Sequence, residues 1–151
     1  MRDLYERLIS SDIFKKWKSK HKNSFFCNFT IIDDKNQFDF MNKNGTMTSF
    51  MMNQDIEIEE DQEMLKKGKL NPLKIDDSIL SRFEARDIIK RKYPNEIFTK
   101  EIMVLQNPKK PLWNITLVTS SLHLINIKID MNKKIISETF EPLTKFMKRV
   151  K

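Results

Sequence analysis

Trp113-Asn114-Ile115-Thr116-Leu117 and Ile125-Asn126-Ile127-Lys128-Ile129-Asp130 are the stretches on which the fold turns. Each alternates apolar and polar residues, the period of a strand with one buried face. Met131-Asn132-Lys133 reads as a polar turn into another short strand at Lys134-Ile135-Ile136. Upstream, residues 81–92 read as an amphipathic helix stopped by Pro94, with Phe83, Ala85, Ile88 and Ile89 as its inner surface. Ser81 and Glu84 have the spacing of a capping box, in which side chains satisfy first-turn N–H groups. Strands at 101–106, 112–119, 122–130 and 134–139 complete an antiparallel meander.

The first half follows the same plan. Residues 3–22 carry two apolar helical stripes, Leu4-Leu8-Ile9 and Ile13-Phe14-Trp17, and Ser10 or Ser11 can cap the second piece. Strands are expected at 25–32, at 37–41 and from Thr46 to Met52, with a possible continuation through Ile56-Glu57-Ile58-Glu59. Asn44-Gly45 is a tight-turn dipeptide between the second and third strands. Residues 60–76 are polar and lack clean periodicity, so they read as a connection, with a helical turn possible at 62–67. The expected fold is α+β: two helix-plus-antiparallel-meander halves, 1–59 and 77–151, with helices on sheet faces and more strand than helix.

The 77–151 half resembles the PepSY domain, the module of peptidase propeptides and YpeB-type proteins. The resemblance rests on Ala85, Ile88 and Ile89 in the helix, on Trp113 to Leu117, and on Ile127-Lys128-Ile129-Asp130 before the turn. That family has a Thr-Gly pair at this turn; here Asn132-Lys133 stands there, and Asn tolerates the left-handed conformation. The resemblance implies a helix on a curved antiparallel sheet, cystatin-like, and a role in protease inhibition or regulation. The first half reads as a degenerate tandem copy.

Composition bounds the rest. The 151 residues are 39% hydrophobic and include eleven Phe, enough for a packed core. No apolar run approaches the roughly 18 residues of a membrane span. Residues 1–7 carry charges without an apolar stretch, so no secretory signal is read and a cytoplasmic location is expected. The single Cys27 fits a reducing compartment; its strand parity with Phe25, Phe29 and Ile31 makes it a core residue rather than a nucleophile. His123 reads as structural, since no second His, Cys or carboxylate pair has metal-ligand spacing. Gly45 and Gly68, the only glycines, cannot build a phosphate-cradling loop. No catalytic, metal or cofactor set is expected.

The net charge of +7 is segregated. Lys15, Lys16, Lys18, Lys20 and Lys22 crowd one stretch; Lys145, Lys148, Arg149 and Lys151 crowd the end; Asp55, Glu57, Glu59, Glu60, Asp61 and Glu63 lie between them. The leading expectation is a non-catalytic protein-interaction or regulatory module, with the acidic run or the basic clusters orienting a partner. The alternative is nucleic-acid or ribosome association through the lysine clusters. A stacking platform for bases would need aromatics on an outward face. Phe26 and Phe50 are the candidates, whereas Trp113, Phe25, Phe29, Phe38 and Phe40 read as core.

Overall fold

In the computed structural model the described residues are 1–63 and 70–147. Two short helices, α1 (Arg2–Ser10) and α2 (Asp12–Lys20), precede four strands: β1 (Phe25–Ile32), β2 (Lys35–Met41), β3 (Met47–Met52) and β4 (Ile56–Gln62). Helix α3 (Arg82–Lys92) then leads to β5 (Phe98–Gln106), β6 (Leu112–Thr119), β7 (His123–Asp130) and β8 (Ile135–Pro142), with a last turn, α4 (Thr144–Met147). Gln62 closes β4, and most of the helical turn expected at 62–67 lies outside the described residues.

All eight strands form one antiparallel sheet in the order β4-β3-β2-β1-β5-β6-β7-β8. This overturns the expectation of two helix-plus-meander halves in a PepSY or cystatin-like arrangement. The physical reason is the seam between β1 and β5. Each strand would otherwise expose an edge of unpaired N–H and C=O groups, and each places large apolar side chains at matching register. Phe29 lies opposite Leu105 and Ile31 opposite Met103. Asp33 extends the seam past the strand end: its N–H donates to the Glu101 carbonyl at 3.1 Å. A single core cluster therefore runs from Phe50 through Phe29 and Leu105 to Ile129.

The helices lie on the face carrying that cluster. Tyr5 of α1 packs on Phe26 and Phe38, while Phe14 and Trp17 of α2 pack on Phe40 and Phe50. Each such aromatic pair adds about 0.5–1.5 kcal/mol beyond the area it buries. Ser11 caps α2 by accepting from the Phe14 N–H at 3.3 Å, and Ser81 caps α3 by accepting from the Glu84 N–H at 3.1 Å. Ala85 and Ile89 are buried under α3, but Phe83 is 65% exposed, contrary to its expected inward place. At roughly 100° per residue, position 83 lies almost opposite the 85/89 stripe.

Phe26 and Phe50 are also corrected: both are buried. The register of β1 against β2 slips between Phe26 and Asn28, a bulge at Cys27. That extra residue reverses parity, so Phe26 joins Phe29 on the core face, opposite Phe40 and Phe38. In β3, both parities carry apolar residues, and pairing of Phe50 with Phe38 decides which face is inside. The β7–β8 turn differs as well. Lys133, not Asn132, holds the positive φ of 66°. The Asp130 carboxylate accepts from the N–H groups of Asn132 and Lys134 at 2.8 and 3.0 Å, which fixes that loop.

Candidate functional site

The lysines expected to act together are separated by the structure. Lys15, Lys16, Lys20 and Lys22 are exposed, and among the described residues none of them forms an ion pair. Lys18 is drawn inward. Its Nζ donates to the carbonyls of Ser24, Lys22 and His21, so it satisfies acceptors left open beyond the end of α2. Partial burial lowers its pKa. Lys145 of α4 pairs with Glu141, near the end of β8, at 2.7 Å. Lys148, Arg149 and Lys151 lie outside the described residues.

The acidic run is built into the sheet edge. Asp55 stands in the tight connection before β4, and among the described residues β4 pairs only with β3. Ile56 and Ile58 face the core opposite Met52 and Phe50; Glu57 and Glu59 face the other way, opposite Met51 and Ser49. Asp55, Glu57, Glu59 and Glu60 are exposed, and no cation lies within 4 Å of any of them among the described residues. One rim of the sheet therefore offers free backbone groups flanked by unneutralised carboxylates.

The face turned away from the helices carries polar networks that the sequence reading missed. Asp39, between Phe38 and Phe40, is only 3% exposed. Its carboxylate accepts from Thr30 Oγ1 at 2.8 Å and from Gln37 Nε2 and Ser49 Oγ at 2.7 Å each. Burial raises its pKa, and the three hydrogen bonds offset that only in part. Further along this face, Asn126 Nδ2 donates to Asn114 Oδ1 at 2.8 Å and to Thr116 Oγ1 at 3.1 Å. A single acid alternating with core phenylalanines was the available signal for Asp39.

A raised carboxyl pKa means that the folded state holds its proton more tightly than the unfolded chain does. The Asp39 contribution is then fully present below the unfolded value of about 3.9 and lost as pH rises through the folded pKa. Urea unfolding of the wild type and Asp39→Asn at several pH values should show the wild type gaining on the variant as pH falls. A stability difference that does not change with pH would contradict this assignment.

Cys27 is fully buried, and its Sγ donates to the Asp39 carbonyl at 3.3 Å. Burial, followed by the nearby Asp39 charge, pushes the thiol up to about 12, so it is no poised nucleophile. His21 stacks on Trp17, with Nδ1 2.9 Å from the Trp17 carbonyl. His123 stacks on Phe140, and its Nδ1 lies 3.0 Å from Ser121 Oγ. That serine donates to Glu96 Oε2 at 3.4 Å, and among the described residues no carboxylate is hydrogen-bonded to the ring itself.

Among the described residues no group of three or more His, Cys, Asp and Glu side chains could hold a metal, and no helix is long and apolar enough to cross a membrane. Comparisons with protein-family models, curated proteins and solved structures returned no match for this chain.

Proposed function

We propose that this protein is a non-catalytic interaction module that receives a basic, extended partner segment along β4. The observation that carries the reading is a strand edge left unpaired among the described residues and bearing Glu57, Glu59 and Glu60, none of them neutralised by the chain's own described cations. Strand addition gives affinity through main-chain hydrogen bonds, and the carboxylates give register and selectivity for lysine or arginine. Without a partner, the same charges keep copies of β4 from pairing with one another. The buried Cys27 thiol supports the non-catalytic half of the reading. The nucleic-acid alternative loses its stacking candidates, because Phe26 and Phe50 lie in the core.

A synthetic peptide alternating lysine and valine, titrated into the intact protein, tests the reading. Binding should weaken as salt is raised, because exposed charges attract less at shorter Debye length. It should bring hydrogen-exchange protection to β4 amides. The combined change Glu57→Lys, Glu59→Lys, Glu60→Lys should weaken it more than about tenfold, a loss of roughly 1.4 kcal/mol. An affinity unchanged by that reversal, or protection appearing elsewhere, would refute it.

A further inference from the structure

Between the start of α1, the segment entering α3 and the sheet lies a cavity of about 200 Å³. Leu4, Phe29, Ile79 and Trp113 give it apolar walls, with Asn36, Arg82 and Phe83 also in its lining. Arg82 sits half-buried there. Its guanidinium donates to Asn36 Oδ1 at 3.2 Å and lies 4.9 Å from the centre of the Phe83 ring. No carboxylate lies within 4 Å of it among the described residues, whereas Arg86, one turn on, is held by both Asp34 and Glu101. Among the described residues Arg82 is engaged by a neutral amide and a ring and by no carboxylate, so it is open to an anion, and its planar fork matches a carboxylate in two-point contact.

We infer that this cavity binds a small monocarboxylic acid whose apolar body is about the size of a benzene ring. The volume supports the size, since a dry apolar cavity of about 150 Å³ accommodates benzene. The walls would take the apolar body, and Arg82 the carboxylate. Phe83 then has a role that explains its outward place: its ring holds the guanidinium at the mouth through a cation–π contact. The site is separate from β4 and does not depend on the function proposed for that edge.

Trp113 in the wall serves as the reporter. In a Trp17→Phe background, where Trp113 is the only tryptophan, phenylacetate should change the emission saturably. Acetate, which lacks the body, and toluene, which lacks the head, should each bind at least about tenfold more weakly. Arg82→Met should remove most of the preference of phenylacetate over toluene, and Arg82→Lys should restore part of it. Thermal unfolding establishes that each variant is folded, and Glu84→Gln, which alters an exposed charge outside the lining, should bind as the parent does. No saturable response to phenylacetate, equal affinity for toluene, or an unchanged preference in Arg82→Met would each overturn the inference.

Discussion

Replacing Trp113 by alanine is expected to cost roughly 3–5 kcal/mol of folding free energy, the range for removing a buried aromatic side chain from a core. Trp113 is 1% exposed and stands between Leu105 and Ile129 on the core face of the sheet. Its indole Nε1 donates to the Leu80 carbonyl at 2.7 Å, which ties the segment before α3 to the sheet. Alanine loses the packing and the tie together. Phenylalanine keeps most of the packing and leaves the carbonyl without its donor, a loss of about 1–3 kcal/mol. Urea unfolding of both variants measures the difference. An alanine variant within about 1 kcal/mol of the wild type would show that the cluster around Trp113 does not anchor the fold, since core truncations of this size cost several times more.

The second large effect concerns the β1–β5 seam. Thr30→Pro removes an N–H from a central strand paired on both sides, a position from which proline is excluded because it cannot donate to the ladder. Thr30 Oγ1 is also a donor to Asp39, so the same change leaves that buried carboxylate with one hydrogen bond fewer. Against a total stability of about 5–15 kcal/mol, the variant should be strongly destabilised and unfold at much lower urea than the parent. Because one core crosses the seam, the loss should reach the whole molecule. The two tryptophans report this separately: Trp17 lies over Phe40 and Phe50, and Trp113 lies in β6. Within each single-tryptophan variant of the parent, the emission transition should coincide with the far-UV circular dichroism transition, as one cooperative unit requires. In Thr30→Pro both signals should be lost together. Native Trp113 emission surviving the loss of the Trp17 signal would mean that the two halves fold independently.

How much of this was legible depended on how local each cause is. The alternation from Trp113 to Asp130 places Trp113, Ile115, Ile127 and Ile129 on one buried face, as a period of two demands. Ser11 and Ser81 announced helix starts because capping is settled within four residues. Phe26 was misplaced because a bulge adds one residue to one strand, and its position depends on the partner strand rather than on the local pattern. Phe50 was misplaced because Met47 and Met51 make the opposite parity equally apolar. Lys18 looked like its neighbours, and only the path of residues 21–24 brought three carbonyls to its ammonium.

The acidic stretch 56–59 was read as a continuation of the third strand and is a strand of its own, and the bulge at Cys27 breaks the parity behind its core reading. The sequence by itself determined the other seven strands, the helix starts and the segregation of charge. These follow from side-chain periodicity and composition, which act over a few residues. Tertiary structure alone decided that β1 and β5 join the strands into one sheet, that the acidic run becomes a free edge, and that Asp39 is buried under three hydrogen bonds. Those outcomes depend on which strand edges find each other across some seventy residues of chain, for which nearest-neighbour patterns carry no signal. Arg82 faces a cavity for the same reason: its walls come from four separate stretches that only the folded chain brings together.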